Sequence, residues 1–248
     1  MTMFTAFTEQ FRKQDVCLFS DFFGDSSPFG IVPTATTFLS TAAFSNINTD
    51  VSQTSKPLGT VTLSVPSSAN SVPGVYPAIG VYPAAAIPAG GVVNRDFRVG
   101  RGEIDFEARV KSGATDPDII VTVGIGLPTN AAPPAVATDF VGFYAFGDLG
   151  GGQTWTAALV VNSTVVRSVT TTLPISQFTD FRVFLNEDAN RAKCYANGAL
   201  IATFDGQLPT TTGLLPHIEV RDRNQAGSGG GGQNVVADYM MVKLKANR

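Results

Sequence analysis

From about residue 92 to the end of the chain, apolar and polar residues alternate with a period of two, and turn-forming residues separate the runs. In GEIDFEARVK, Gly102 to Lys111, with Arg101 just ahead, one side collects Arg101, Glu103, Asp105, Glu107, Arg109 and Lys111. The other side collects Ile104, Phe106, Ala108 and Val110. Successive side chains of a strand point to opposite faces, so this run predicts a half-buried strand with a charged outer face. Ile119, Val121, Val123, Ile125 and Leu127 predict a second strand with one buried face. Phe140, Val141, Phe143, Tyr144 and Phe146 predict a third, with both faces partly covered.

Turn residues then mark hairpins. Asn162-Ser163 separates residues 155–161 from 164–169, and the polar stretch 186–190 separates 181–185 from 191–195. Asn197-Gly198, the dipeptide favoured in type I′ turns, precedes the run 200–204. Two last strands, 217–223 and 235–245, flank the glycine-rich AGSGGGGQN, which reads as a flexible tip. Many short strands with regular turn signals predict an all-β sandwich.

The N-terminal part follows other rules. Phe4, Phe7 and Phe11 fall at helical spacing among charged residues, predicting a short amphipathic arm over 1–16 ahead of a β domain over 17–248. Such a helix is marginal alone, so the three phenylalanines are expected to bind a partner. Between Asp25 and Asn94 the only charges are Asp25, Asp50 and Lys56. That stretch is too apolar and β-branched for an ordinary linker and predicts short extended segments. Within it GVYPA occurs twice, at 74–78 and 80–84, and its prolines predict a loop with two tight turns.

Composition agrees: 25 Gly and 15 Pro with only 15% charged residues suit strands and turns better than long helices. The net charge of −3 removes the electrostatic reason to expect nucleic acid, and Arg95, Arg98 and Arg101 are too few to restore it. No run of about 18 apolar residues predicts a membrane span, and the first residues lack the pattern of a secretion signal, so the expected place of synthesis is the cytoplasm. In that reducing compartment Cys17 and Cys194 are expected as unpaired thiols, and Asn162-Ser163-Thr164 as a turn, not a glycosylation site.

The order of these pieces carries a resemblance. GEIDFEARVK, then GIGL, then DFVGFYAF, then FTDFRVFLNEDANRAKCYANGALIATFDG, and finally VVADYMMVKLK, with FSDFFG at 19–24 as a first strand, resembles the concanavalin A-like (laminin G-like) jelly-roll domains over 19–245. The implied fold is an all-β concanavalin A-like jelly-roll β-sandwich with an N-terminal arm. Domains of this kind, often without an enzymatic motif, look like those of tailed-phage virion structural proteins.

The same resemblance raises a catalytic alternative. Glu103-Ile104-Asp105-Phe106-Glu107 matches the E-x-D-x-E of β-glucanases with this fold, which would make Glu103 the nucleophile, Glu107 the acid/base and Asp105 the residue tuning both. Three readings weigh against it. The alternation explains every residue as a solvated strand face with bases at both ends. FEARVK resembles the strand that precedes the glucanases' catalytic strand, and the run 116–123 that follows here has no Glu. Sugar clefts need aromatic platforms, and Trp155 is the only tryptophan. The two glutamates, four positions apart, also stand roughly 13 Å from each other at the backbone, against about 5 Å between the carboxyls of a retaining pair.

The remaining candidates are weaker. His217, the only histidine, has no G-x-S-x-G elbow to serve and is expected as a hydrogen-bonded structural residue. Asp116 with Asp118, or Glu187 with Asp188, could hold calcium but read as turn acids, and Gly227–Gly232 lacks the Gly-Lys-Ser/Thr of a phosphate loop. The expectation is therefore a non-enzymatic virion structural protein, most simply a capsid decoration or cement protein, with no cofactor and no metal. Its partners would be a major capsid or other virion protein and further copies of itself, with a glycan as an additional candidate; nucleic acid and membrane are not expected. The alternative is a carbohydrate-binding or weakly β-glucanase-like protein using Glu103, Asp105 and Glu107.

Overall fold

The structure is a computed structural model that describes residues 15–20, 29–33, 48–49, 61–65, 78–83, 102–114, 118–126, 139–147, 152–186, 190–206, 208, 214–222 and 233–246. The strands are β1 (Asp15–Ser20), β2 (Phe29–Pro33), β3 (Asn48–Thr49), β4 (Val61–Val65), β5 (Ala78–Pro83), β6 (Gly102–Ser112), β7 (Ile119–Gly126), β8 (Phe140–Phe146), β9 (Thr154–Val161), β10 (Thr164–Pro174), β11 (Thr179–Leu185), β12 (Arg191–Ala196), β13 (Ala199–Asp205), β14 (Leu215–Asp222) and β15 (Gln233–Ala246). No helix occurs among the described residues, and the fold is the all-β sandwich that the alternation predicts and the jelly roll that the resemblance implies.

Two antiparallel sheets form it. One runs β13-β12-β11-β6-β15-β4-β3, with β1 also paired to β15; the other runs β10-β9-β8-β7-β14-β5-β2. β15 is long enough to take β4 along 233–237 and β1 along 240–245 on the same side. β1 starts at Asp15, so residues 15 and 16 of the expected arm pair with β15, while Phe4, Phe7 and Phe11 lie outside the described residues.

The core lies between the sheets and is built by the period-two pattern. Ile104, Phe106, Ala108 and Val110 of β6 and Phe181, Val183 and Leu185 of β11 face Val121, Val123, Phe143 and Trp155 of the opposite sheet. Phe181 ties the layers together, its ring 4.6 Å from that of Phe143 and 4.8 Å, edge-on, from that of Trp155. Burying each such side chain contributes about 1.5–3 kcal/mol. Cys194 on β12 sits in this core as an unpaired thiol, and burial pushes its pKa up to about 12.

Both expected tight hairpins form. Asn162 and Ser163 take left-handed φ values of 49° and 63°, and Asn197 and Gly198 take 49° and 78°. The first tip is held by Asp139, whose Oδ1 accepts from the Asn162 N–H at 3.0 Å. The second is pinned to β11, because Asn197 Oδ1 accepts from the Asp180 N–H at 2.9 Å and the Asn197 N–H donates to the Asp180 carbonyl at 2.7 Å.

The structure departs from the sequence expectation at four places. The first strand, expected at 19–24, is β1 at Asp15–Ser20, and residues 21–24 lie outside the described residues. Ala78–Pro83, expected as a loop, is β5, paired with both β14 and β2; Pro83 sits at its last position, where the missing N–H costs the ladder least. β7, expected with one buried face, is buried on both, because it is the middle strand of its sheet and side chains cover its outer face as well. β10 runs on past Val169 to Pro174 and is almost wholly exposed.

Candidate functional site

Two faces could carry chemistry. The first is the outer face of the eight-stranded sheet, where β6 places Glu103, Asp105 and Glu107 between β11 and β15. Register sets Glu107 opposite Arg182, and Asp105 opposite Phe184 and Lys243. Arg182 reaches diagonally to Asp105: its Nε and Nη2 donate to the two carboxylate oxygens, each at 2.7 Å, while Nε stands 3.4 Å from Glu107 Oε1. The hydrogen bond to Asp105 is the first cause of the raised Arg182 pKa. Such a fork fixes both partners geometrically. It engages both Asp105 oxygens with one guanidinium.

The rest of this face continues the pattern. Arg109 lies 3.7 Å from Asp180 and 3.6 Å from Asp238, and both Arg109 and Lys111 stand over the Phe178 ring, 5.3 and 4.8 Å from its centre. Tyr239 is pushed up to about 12 by burial first and then by the nearby Asp180 charge. Trp155, the one candidate sugar platform, is wholly buried in the core with its Nε1 lacking a hydrogen-bond partner, so it presents no ring to solvent.

The second face is the outer side of the seven-stranded sheet. Sequence alternation in Leu215–Asp222 sends Ile218 and Val220 into the core and therefore His217, Glu219 and Arg221 to the outside. Pairing brings Tyr144 of β8 opposite Thr122 of β7, and Thr122 opposite Glu219 of β14. His217 Nδ1 is 2.9 Å from the Leu215 carbonyl and Nε2 is 3.2 Å from Thr122 Oγ1. A carbonyl only accepts, so Nδ1 carries the proton, and Nε2 accepts from the threonine hydroxyl. Burial, the main cause, lowers the His217 pKa and keeps the ring neutral. Arg221 Nη2 donates to Glu219 Oε1 at 2.7 Å, and this pair is buried too.

Beside this cluster lies a trough of glycines. A Cβ on Gly124, Gly126 or Gly142 would come within 3.0 Å of the Phe140 ring, which occupies the trough and reaches to 5.9 Å from the His217 ring. Ile120, Phe140, Ala158 and Val160 form a second small apolar cluster there, with Tyr144 and Phe146 against it. His217 is thus a hydrogen-bonded residue joining β14 to β7, as its lone occurrence suggests. Thr122, Glu219 and Arg221 were not singled out from sequence, although the spacing His217-x-Glu219-x-Arg221 between apolar residues was the available signal. Of the calcium candidates, Asp118 is described, while Asp116, Glu187 and Asp188 lie outside the described residues.

No family model matches the chain, and no curated protein matches it by sequence. Solved structures do. The chain is similar to a Shewanella oneidensis protein of unknown function at 12% identity, over 100% of this chain and 97% of that one, with a TM-score of 0.60. It is similar to a prokaryotic β-1,3-1,4-glucanase (lichenase) from a mouse hindgut metagenome at 14% identity, over 94% and 100%, with a TM-score of 0.55. It is also similar to the Bacillus licheniformis β-glucanase at 13% identity, over 94% and 98%, with a TM-score of 0.52. At these identities the likeness concerns the fold: the chain has the concanavalin A-like jelly-roll architecture, which glycan-active proteins also use.

Proposed function

We propose that the chain is a non-enzymatic structural protein of the virion, a capsid decoration or cement protein held to a capsid neighbour by the N-terminal segment bearing Phe4, Phe7 and Phe11. The observation that carries the non-enzymatic part is the Arg182 fork on Asp105, which makes the E-x-D-x-E run a charge-compensated strand face. The virion part is supported by the sequence resemblance, and the partner-binding arm by the spacing of its phenylalanines. Deleting residues 2–14, which stops short of β1, is expected to abolish binding to the particle while leaving the unfolding midpoint unchanged. Undiminished binding by the truncated chain, or absence of the chain from purified particles by mass spectrometry, overturns the proposal.

The second reading is a glycan-binding module, and the comparisons favour it, since two of the three neighbours above are described as glucanases. Within it the chain binds rather than cuts, for the same reason as above. A glycan array and β-glucan hydrolysis test it, with Glu103→Gln and Glu107→Gln as the variants. If the unmodified chain binds no glycan, this reading fails, and hydrolysis that is lost in Glu103→Gln or Glu107→Gln overturns its non-enzymatic part.

A further inference from the structure

Asn197-Gly198 is the only Asn-Gly dipeptide in the chain, and both residues are exposed at the tip that joins β12 to β13. Such a pair can react with itself, because glycine has no Cβ to shield its backbone nitrogen from the asparagine side chain before it. In that cyclisation the Gly198 nitrogen gives up its proton and bonds to Asn197 Cγ, the Cγ–Nδ2 bond breaks, and ammonia leaves with the proton. Water then opens the five-membered imide at either carbonyl, leaving an aspartate or an isoaspartyl linkage that runs through the side chain. Nothing is oxidised or reduced, and water is the only co-reactant. The tip exposes these atoms but holds them in the wrong geometry. The φ values of 49° at Asn197 and 78° at Gly198 are those of a type I′ turn. Such a turn gives its first central residue a ψ of about +30°, which sets Cβ and the next nitrogen about 150° apart around the Cα–C bond. Ring closure needs the two nearly eclipsed, so the Gly198 nitrogen faces away from the amide it would attack.

Two hydrogen bonds to β11 hold that geometry. Asn197 Oδ1 accepts from the Asp180 N–H at 2.9 Å, and the Asn197 N–H donates to the Asp180 carbonyl at 2.7 Å. Burial plays no part, since a Cβ built on Gly198 meets nothing within 4 Å. The protection is conformational, and it is lost when the tip lifts off β11. β13 is the end strand of its sheet, the ladder closes at Ala196 opposite Ala199, and Asn197 to Leu200 are all exposed. Local openings that break few buried contacts cost the least free energy. We propose that Asn197 is a site of spontaneous imide-forming modification controlled by this turn: it cyclises only while the β12–β13 tip is open, so isoaspartate accumulates as a one-way record of that opening. The isoaspartyl form carries one extra carbon in its backbone and does not fit a two-residue type I′ turn, so a modified tip stays open. Asn162-Ser163 provides a comparison within the same chain, left-handed as well at 49° and 63°, but with the serine Cβ beside the nitrogen that would attack. The residues concerned serve neither of the functions proposed above.

Peptide mapping by mass spectrometry tests it, on the full chain held at mildly alkaline pH both folded and unfolded in urea. In urea Asn197 is expected to be modified faster than any other asparagine, and in the folded chain about tenfold more slowly or less, because only the open fraction reacts. Ala199→Pro removes the N–H that closes the turn on Ala196 and is expected to raise the folded-state rate at Asn197 towards the urea value. The rate at Asn162, read in the same digests, should stay unchanged in that variant, which separates opening of the tip from general unfolding. The isoaspartyl form, separated by ion exchange, is expected to be cut at the tip by protease faster than the unmodified chain. Equal rates at Asn197 in the folded and unfolded chain overturn the proposal whatever the variant does. So does a folded Ala199→Pro chain with an unchanged rate at Asn197, and an isoaspartyl form cut no faster overturns the one-way record.

Discussion

The Asp105–Arg182 fork separates the two readings of GEIDFEARVK through stability alone. The fork consists of two hydrogen bonds of 2.7 Å, with the Asp105 side chain 14% exposed and Arg182 47% exposed. Exposed ion pairs in double-mutant cycles give roughly 0.2–1 kcal/mol, and bidentate geometry around a largely covered carboxylate puts this one near the top, at about 1 kcal/mol of coupling. Glu107, 3.4 Å from the same Nε, recaptures part of the loss when Asp105 is removed, so the coupling should not exceed that figure by much. In a chain of this length about 1 kcal/mol corresponds to roughly 2–4 °C in Tm. Urea unfolding of the wild type, Asp105→Ala, Arg182→Ala and the double variant measures it. If the run is a structural strand face, each single variant is less stable and the double variant recovers the coupling. Zero coupling would refute the reasoning. So would an Asp105→Ala variant more stable than wild type, the behaviour expected of carboxylates held together for chemistry at the expense of stability.

Two further outcomes follow from the other face. Gly124→Ala would bring a Cβ to 2.5 Å from the Val141 carbonyl oxygen and 2.8 Å from Gly142 Cα, both backbone atoms of the paired strand, so it should cost about 1–3 kcal/mol or more; an unchanged Tm would contradict the close approach of β7 and β8. His217, with its pKa lowered in the folded state, stays neutral where the unfolded chain takes up a proton below its ordinary value of about 6.5. Stability should therefore fall as pH drops from 7 towards 5, at up to about 1.4 kcal/mol per unit, and His217→Gln should flatten that dependence; equal slopes in the two proteins would show that His217 is not its source.

What was legible along the chain was whatever depends on near neighbours. The faces of β6 and β11 follow from period two, since a strand must turn alternate residues to opposite sides. The Asn162-Ser163 and Asn197-Gly198 turns follow from residues that tolerate positive φ. β5 was hidden because its prolines read as breakers, and their harmlessness depends on Pro83 falling at a strand end. The partners of the candidate residues were hidden for a different reason. Arg182 lies 77 positions from Asp105, and His217 lies 95 from Thr122, so no local pattern could join them.

The amino-acid order thus decided the class of fold, the charged outer face of β6 and the sites of two hairpins, because backbone sterics and side-chain alternation act within a few residues. Sheet order decided the rest. It made β7 a central strand buried on both faces, and it left β10 at an edge, although TVVRSVTTTLP reads as well for an inner strand as for an outer one. It also brought Arg182 onto Asp105, a partner 77 positions away that the alternation of β6 does not name. Burial and pairing belong to the whole packed molecule, which is why the alternation of the ten residues in GEIDFEARVK gave their faces and only the sandwich gave their partners.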